Sequence, residues 1–477
     1  MFPKVRKPLS LLLVFMMCFT LFSGCNNSEE QQITPSNSPP AETKNVPETD
    51  STQSADGKLN IYLNGLELGP GATLQRVLVL GPQKKNVKLP DILNVKLFAT
   101  SSEMENEMLP ELLAGKGPDI FIFDSTILPN YKQYIKQGLF CDLNKLIEQD
   151  QSSNPLDLSL YNQDVLDEGV WDQKRCFIPL GYLPIYFITT QEMCDKYDVQ
   201  IPEDGVTYEE FPDVFHNFIK QETGNIPLLY PTSFFFRETS YSFLDMNTQT
   251  CSFDSEEYKK SIRILEDITT YTTASLTDFV NNYRSDERTN AVTDGNLFCN
   301  YLYNKIGAEI NREYNIISEA NQNMVLFGLK DPESGGYYGH TTYCFAINAN
   351  SKKKDLALDY LKALLSEEFQ GEPQSPVFQS VFGLPVLNSV RDEAISTGMW
   401  DQDSMGEPAW LPETPEAEAY VQKFAEISGN VTSCYMADGR WEQEIFDPLY
   451  DDYDKGKITA DQFAQALQQK TNLFLKE

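Results

Sequence analysis

The chain has 477 residues and a formal net charge of −32 at pH 7, because 70 acidic residues outnumber 38 basic ones. Such a charge repels polyanions, which argues against binding to nucleic acid or to an anionic membrane surface. The chain has two histidines, so a histidine metal cage or a histidine-dependent catalytic triad is not expected. We expect no cofactor and no metal, and the length suits two or three domains with an ample core.

The amino-terminal segment has the order of a secretory signal. Three basic residues precede an apolar run over 9–22, which is too short to span a bilayer because about 20 residues are needed. The run ends in LFSGC at 21–25, which resembles a bacterial lipobox. The resemblance implies that residues 1–24 are a lipoprotein signal peptide and that Cys25 carries the acyl chains, palmitate included. An ordinary signal peptide with a chance cysteine is the alternative.

Residues 25–57 are predicted to be a disordered tether. They are rich in Ser, Pro, Asn, Thr and Glu and contain little that a core could bury. A flexible segment of this length would span roughly 30 Å r.m.s. and hold a globular body clear of the lipid headgroups.

The cysteines do not indicate a disulfide framework. Of nine, Cys18 lies in the signal peptide and Cys25 is the lipidation site, which leaves an odd number with no C-x-x-C spacing. Whether any of these remaining cysteines pair is left open.

The body begins with an alternation of strands and helices. Met104, Met108 and Leu112 recur at helical spacing, and Ile120–Phe123 is apolar at every position, as in a strand covered on both faces. Other predicted elements are strands at 59–64, 94–98, 182–187 and 341–348, helices at 131–147, 191–197, 207–222, 255–268 and 351–365, and a segment at 72–88 that fits either type.

Three later stretches need a separate interpretation. Phe234–Phe236 reads as a buried strand. Residues 451–458 look like a calcium loop but lack the oxygen ligands at its third, fifth and twelfth positions, so a solvated turn is expected instead. Thr459 and Gln462 have the spacing of a capping box that opens a terminal helix.

Five segments carry a resemblance that each alone would not establish. They are LLAGKGPDIFIFD at 112–124, CFIPLGYLPIYFIT at 176–189, YCFAINANSKKKDLALDYLKALLSEEFQ at 343–370, FGLPVLNSVRDEAI at 382–395 and GKITADQFAQALQQKTNLFLKE at 456–477. In this order they resemble the extracellular solute-binding proteins of bacterial ABC importers, family 1, the class close to maltose- and oligosaccharide-binding proteins.

The resemblance implies an α/β, two-lobed periplasmic-binding-protein-like fold. Each lobe would be a mainly parallel sheet flanked by helices, with the ligand cleft between the lobes and closure by hinge motion. The implied boundaries are 58–182 plus 322–371 for lobe one and 183–321 plus 372–477 for lobe two, with crossings near 180–186, 318–324 and 370–376.

The resemblance also implies partners and a location. The expected ligand is a small polar molecule, most simply a sugar or oligosaccharide, passed to ABC permease subunits. The protein would be a monomer, held by its lipid anchor on the extracellular face of the cell membrane, as in Gram-positive bacteria.

The candidate ligand-binding residues lie where the family's cleft loops are expected. Aromatic rings pack on the apolar faces of sugars, while carboxylates, amides and hydroxyls bond their hydroxyl groups. The candidates are Asn64, Asp124, Ser125, Tyr182, Tyr301, Tyr338, His340, Trp410 and Trp441. Each also has a structural alternative: a solvated turn or helix cap for Asp124, a hydrogen-bonded loop position for His340, and core packing for Tyr182 and the two tryptophans.

Two other functional classes remain open. A surface glycoside hydrolase would need two carboxylates about 5–10 Å apart, and no spacing in the sequence marks such a pair. A ligand-sensing lipoprotein would share the binding fold and signal through a partner. Within the binding class, a neutral sugar is expected, with a cationic solute such as a polyamine or a peptide amine as the alternative.

Overall fold

The three-dimensional structure is a computed structural model. It describes residues 57–64, 93–124, 128–207, 226–229, 232–246, 248–263, 288–295, 297–301, 307–371, 383–397 and 411–476, with Glu210, Val214 and Asn217. The predicted signal peptide, tether and lipidation site lie outside these residues. So do Ser125, Trp410, the segment 72–88 and most of 207–222.

The first lobe is built on a five-stranded sheet. Its strands are β1 (Leu59–Asn64), β2 (Leu93–Phe98), β3 (Ile120–Phe123), β6 (Ile178–Pro179) and β15 (Cys344–Ile347), in the order β2-β1-β3-β15-β6. β1 is parallel to β2 and β3, whereas β15 is antiparallel to β3 and β6. All four residues of β3 are buried, as its continuous apolar run predicts.

Helices cover the faces of this sheet. They are α1 (Ser101–Leu113), α2 (Tyr131–Lys136), α3 (Leu143–Glu148), α4 (Gln163–Asp167), α9 (Lys354–Leu364) and α10 (Glu367–Gln370), with a 3₁₀ turn at Leu158–Leu160 and a small hairpin of β4 (Val170–Trp171) and β5 (Lys174–Arg175). The predicted face of α1 is confirmed, because Met104, Met108 and Leu112 are buried. Pro110 lies inside this helix without ending it.

The second lobe is built on a four-stranded sheet. Its strands are β8 (Tyr186–Thr190), β9 (Ile226–Leu229), β12 (Leu297–Tyr301) and β13 (Met324–Gly328), in the order β13-β8-β12-β9. β13 pairs with β8 over its whole length, so residues from 324 to 328 belong to the second lobe. The expected lobe boundary at 322 therefore lies too early in the chain.

A third sheet joins the lobes. It consists of β7 (Gly181–Pro184), β14 (Tyr337–Thr341), β16 (Leu384–Pro385) and β17 (Val431–Tyr435), in the order β16-β7-β14-β17. The chain leaves the first lobe through β7 and returns through β14, which directly precedes β15. β15 is antiparallel to β3 in the first lobe, and β12 and β13 are antiparallel to β8 in the second. The lobe sheets are therefore mixed rather than mainly parallel. The two-lobed α/β fold is as predicted.

The second lobe and the linking sheet carry the remaining helices. They are α5 (Gln191–Tyr197), α6 (Thr232–Tyr241), α7 (Arg288–Thr293), α8 (Gly307–Glu319), α11 (Asn388–Thr397), α12 (Pro415–Gly429), α13 (Gly439–Trp441), α14 (Asp447–Asp454) and α15 (Ala460–Phe474), with a helical segment at 256–263, a π-helical turn at Glu442–Phe446 and a hairpin of β10 (Leu244–Asp245) and β11 (Thr250–Cys251). The predicted capping box of α15 is present.

Two of the local predictions for this part were wrong. Phe234–Phe236 lies in α6 and not in a strand. A three-residue apolar run is too short to distinguish the two periods, and the polar residues that follow it continue the helix. The expected turn at 451–458 begins instead as the last turn of α14, and the turn follows it.

The buried hydrophobic residues form two clusters, and the first extends from the first lobe to residues of β8, α8 and β13 in the second. The first surrounds β3 and β15 and includes Phe123, Phe345 and Leu361, and the second surrounds Phe187 and Phe298. None of the seven cysteines in the described part forms a disulfide. Within the same residues, no helix is long and apolar enough to cross a membrane.

Candidate functional site

The two lobes meet at a buried ion pair. Lys132 lies in α2 of the first lobe, and its Nζ is 3.0 Å from Oδ2 of Asp438, which follows β17. Lys132 is 9% exposed and Asp438 is 2% exposed. Burying two charges is unfavourable unless further hydrogen bonds compensate them, so the surroundings of Asp438 decide what the pair contributes.

Asp438 has such hydrogen bonds. Its Oδ1 accepts the backbone N–H of Trp441 at 2.9 Å, which caps α13, and its own backbone N–H donates to the Tyr241 hydroxyl at 2.7 Å. The Tyr241 hydroxyl donates to Glu442 at 2.8 Å, and Glu442 pairs with Arg237 at 3.1 Å. We call Lys132, Arg237, Tyr241, Asp438 and Glu442 the junction cluster, because it joins α2, α6 and α13.

Aromatic rings lie against the junction cluster. The rings of Tyr241 and Tyr435 are stacked with centroids 4.8 Å apart, and His340 meets the Tyr435 ring edge-on at 4.7 Å. Burial, aided by the positive charge of Arg237, lowers the pKa of His340 to about 3. Its imidazole is therefore neutral at physiological pH and does not act there as a charged group.

A cavity of about 650 Å³ opens beside this cluster, and we call it the carboxylate cavity. Its walls come from α4 of the first lobe, from the end of α6 in the second lobe and from β14 and β17 of the linking sheet. Its described lining contains seven carboxylic side chains and no lysine or arginine. The acidic residues are Asp164, Asp167, Glu168, Asp245, Glu257, Asp331 and Glu333, and the rings are Tyr241, Phe243, Tyr338 and Tyr435.

Glu168 is the most perturbed of these carboxyl groups. Burial raises its pKa to about 7, although the charge of Lys132 and the backbone N–H of Met436, which donates to Oε1 at 3.2 Å, both act to lower it. Glu168 is therefore divided between its neutral and charged forms near pH 7. It can both donate and accept a hydrogen bond within a small pH range.

Asp331, on the opposite wall, stays charged. Burial acts to raise its pKa, but hydrogen bonds from the hydroxyls of Ser433 and Ser334 and from the backbone N–H of Glu333 lower it below its ordinary value. The Tyr338 hydroxyl also donates to Asp331, at 3.3 Å. This wall thus presents a fixed negative charge next to an aromatic ring.

Two hydroxyl groups in the cavity wall are buried without a hydrogen-bond partner among the described residues. They are Thr239 Oγ1 and the hydroxyl of Tyr435. Tyr131 in α2 also holds a buried hydroxyl without a partner in the described part of the chain. An unpaired buried hydroxyl costs about 1–3 kcal/mol, so such groups indicate that something polar completes them.

Two predicted site residues lie in the core instead. Tyr182 is fully buried, and its hydroxyl donates to the carbonyl of Ser428 at 2.6 Å. Trp441 is also fully buried, with its indole N–H donating to Thr471 at 2.9 Å. Because both polar atoms are already paired inside the protein, the burial argues against the predicted ligand contacts.

The other predicted residues are distributed around the site. Tyr338 lines the carboxylate cavity, and His340 lies behind the Tyr435 ring. Asp124 is half-buried directly after β3, where its charge helps to raise the pKa of Tyr343. Asn64 and Tyr301 are the last residues of β1 and β12.

The sequence interpretation missed several residues of the site. Asp438, Tyr435 and Glu442 follow or end β17, a strand that was not predicted, although VTSCY at 431–435 contains Val, Thr and Tyr, which favour strands. Polar residues after such a strand are a usable signal, because ligands bind beyond strand ends in open α/β sheets. Glu168 carries no local signal at all.

No protein-family model matches the sequence, and no curated protein matches it significantly. Solved structures do match. MalE, a sugar-binding protein from Xanthomonas citri, has a TM-score of 0.59 at 14% identity, covering 88% of this chain and 97% of that one. An extracellular solute-binding protein family 1 from Alicyclobacillus acidocaldarius has a TM-score of 0.56 at 16% identity, covering 88% and 98%.

The fold is that of the extracellular solute-binding proteins. An ABC substrate-binding protein from Listeria monocytogenes, in complex with cycloalternan, supports the same conclusion, with a TM-score of 0.51 at 14% identity over 88% of this chain and 99% of that one. In the solute-binding-protein fold two lobes enclose a cleft, and the carboxylate cavity of this chain is bounded by both lobes and the linking sheet.

Proposed function

We propose that the protein is a membrane-anchored extracellular solute-binding protein. It captures a small polar solute, a sugar or oligosaccharide, in the carboxylate cavity and delivers it to the permease subunits of an ABC importer. The observation that carries this proposal is the cavity itself: about 650 Å³, bounded by both lobes and lined by buried hydroxyls that lack hydrogen-bond partners among the described residues. This volume suits a small ligand.

The residues of the cavity suggest how a sugar is held. Ligand hydroxyls donate to Asp331 and Glu168, and the hydroxyl of Thr239, which has no partner among the described residues, bonds to the ligand in turn. The Tyr338 ring packs on an apolar sugar face, as aromatic rings do with C–H groups. The first lobe supplies Glu168 and the second supplies Thr239, so a ligand that touches both favours the closed arrangement of the lobes.

Binding without turnover is the direct test. A panel of mono- and oligosaccharides is screened by thermal shift, and each positive is measured by calorimetry and recovered for mass spectrometry. Saturation at one hundred times Kd adds about 2.7 kcal/mol to the free energy of unfolding. We expect stoichiometric binding, an unchanged ligand and compaction by small-angle scattering. Recovered hydrolysis products would assign the cavity to a glycoside hydrolase.

A pair of tyrosine variants locates the site. Tyr338→Ala removes a ring of the cavity wall and should weaken binding by about 1 kcal/mol or more. Tyr62→Ala removes a half-buried ring from β1 of the first sheet and serves as the matched control, with unchanged affinity expected. Equal affinity for both variants would remove Tyr338 from the site.

The anchor and the partner are tested separately. Cys25→Ala should release the protein into the medium or leave it unprocessed, and mass spectrometry of the parent should find an acylated amino terminus at Cys25. The loaded protein, as a monomer by light scattering, should bind a permease complex and stimulate its ATPase. Stimulation of a membrane kinase instead would assign the protein to ligand sensing.

A further inference from the structure

The described residues that line the carboxylate cavity carry negative charges that no basic residue among them balances. Among the described residues that line it are seven carboxylic side chains and no lysine or arginine. Basic side chains of the described residues near it are paired with carboxylates: Lys132 with Asp438, Arg175 with Asp167 at 2.9 Å and Arg237 with Glu442 at 3.1 Å. Their charges are thus already shared with carboxylates, and the open side of the cavity keeps an excess of negative charge.

The carboxylates are spread along the cavity rather than gathered at one point. Among the described residues, no group of three or more His, Cys, Asp or Glu is placed to hold a metal ion. A compact divalent cation needs about six or more oxygen ligands at one point. The distribution instead matches a ligand whose charge or hydrogen-bond donors are spread over several ångströms.

A separate observation marks this cavity as one that a ligand completes. Thr239 is 2% exposed, lines the cavity and has a hydroxyl oxygen without a hydrogen-bond partner in the described part of the chain. Its hydroxyl can accept a bond from an ammonium group as well as donate one. The Tyr435 hydroxyl is likewise buried and has no hydrogen-bond partner in the described part of the chain.

The rings of the cavity favour the same ligand chemistry. The Tyr338 hydroxyl donates to the charged Asp331. The rings of Tyr241 and Tyr435 are stacked, and Tyr241 lies two residues after Thr239 in the same cavity wall. A cation above a tyrosine face is attracted by the ring quadrupole, and carboxylates at the ring edge strengthen the attraction. A neutral sugar would use the rings but leave the negative charges uncompensated.

We propose that the solute held in the carboxylate cavity carries at least one protonated amine, as an amino sugar or a linear polyamine does. The inference rests on the proposed binding function and adds the charge of the ligand to it. Asp331 and Glu168 accept hydrogen bonds from the ammonium group or groups of the ligand, and the hydroxyl of Thr239 accepts one more.

The experiment compares three trisaccharides that differ in charge and adds spermidine as a linear amine. The glucosamine trimer, the N-acetylglucosamine trimer, maltotriose and spermidine are titrated into the whole mature protein by calorimetry, at 20 and 300 mM NaCl. We expect the glucosamine trimer or spermidine to bind about tenfold or more tightly than the neutral trimers. Its affinity should fall by about tenfold at the higher salt concentration, because the Debye length shortens severalfold.

Variants separate site charge from total charge. Glu168→Gln and Asp164→Asn should each weaken the amine probe by about fivefold and reduce its salt dependence. Glu418→Gln, an exposed carboxylate on α12, removes the same charge away from the cavity and should change neither. Preference for the glucosamine trimer over spermidine identifies an amino sugar, and the reverse identifies a polyamine.

The failures of the two proposals are distinguishable. If maltotriose or the acetylated trimer binds as tightly as the amine probes, or if binding of the amine probes does not respond to salt, the amine inference is overturned while the binding function stands. If neither amine probe binds, the inference is also overturned. If a probe binds and is consumed, the binding function itself fails.

Discussion

The junction cluster and the carboxylate cavity lie side by side between the lobes and are built from the same residue types. In the junction cluster each carboxylate has partners: Asp438 accepts from Lys132 and Trp441, and Glu442 accepts from Tyr241 and Arg237. In the cavity some carboxylates also have partners, as Asp331 has in Ser433 and Asp167 has in Arg175, but Thr239 Oγ1 has no partner in the described structure.

The difference separates two roles of buried polar groups. A fully satisfied network fixes the geometry of a closed interface, although it adds modest net stability. An incompletely satisfied one stores unfavourable free energy that a ligand with the right groups removes. The variants below test this division, in order from the largest expected effect to the smallest.

Loss of Asp438 should have the largest effect. Asp438→Ala leaves Lys132 charged and buried and removes the cap of α13, so we expect the free energy of unfolding to fall by about 3–5 kcal/mol. Urea denaturation measures it. Asp392→Ala breaks the Arg391–Asp392 pair, whose carboxylate is largely exposed, and should lower the same free energy by less than about 1 kcal/mol. Similar small losses for both would show that the junction cluster does not stabilise the fold.

Replacing Glu168 should raise the free energy of unfolding, whereas loss of Asp438 lowers it, and the effect should depend on pH. Its pKa is raised from 4.5 to about 7 by burial, so the folded protein holds this proton more tightly than the unfolded chain does. The contribution of Glu168 to stability is therefore lost as pH rises from about 4.5 to 7. Glu168→Gln avoids this loss and should be the more stable protein above pH 7, by about 3 kcal/mol at most.

The measurement is urea denaturation of both proteins at several values between pH 4 and pH 8. The two curves of unfolding free energy should agree at pH 4 and separate towards pH 8. Glu418→Gln should follow the parent throughout. Parallel curves for Glu168→Gln and the parent would mean that this carboxyl group is not perturbed.

Two Tyr→Phe changes make the sharpest comparison, because each removes one oxygen. Tyr182→Phe breaks the bond to the Ser428 carbonyl and leaves that acceptor unpaired, so stability should fall by about 1–2 kcal/mol. Its affinity for the best sugar or amine probe should not change. A loss of affinity at unchanged stability would return Tyr182 to the binding site.

Tyr435→Phe should lower the affinity and leave the stability nearly unchanged, and its effect should be the smallest of the series. It removes a buried hydroxyl without a partner in the described structure, so the free energy of unfolding should stay constant or rise by less than about 1 kcal/mol. The affinity for the same probe should fall by about fivefold, which calorimetry can measure. Unchanged affinity would show that the hydroxyl does not reach the ligand.

Much of the fold follows from local sequence patterns. Ile120–Phe123 has no polar position and forms a strand buried on both faces, and Met104, Met108 and Leu112 repeat at the helical period. Thr459 and Gln462 close a capping box within four residues. In each case the residues that determine the structure lie next to one another in sequence.

The site depends on residues that are distant in sequence, and it was predicted less well. Lys132, Arg237 and Asp438 meet only after both lobes have formed, and no local pattern indicates that they do. Tyr182 was placed near the cleft because it lies beside a crossing, yet the carbonyl of Ser428 holds it in the core. The sequence indicated which types of residue could bind a ligand, whereas the fold was needed to show which residues contact one another.

The position of β15 has a consequence for how this chain folds. Phe123 pairs with Cys344 although residues 124–343 separate them, and the whole second sheet is formed from that interval. The first sheet therefore cannot be completed until most of the polypeptide has been synthesised. Contacts so far apart along the chain slow folding, since a long loop must close before they form. Refolding from urea should accordingly proceed in at least two phases, with the strand pairs of the second sheet protected from amide hydrogen exchange before β15 is.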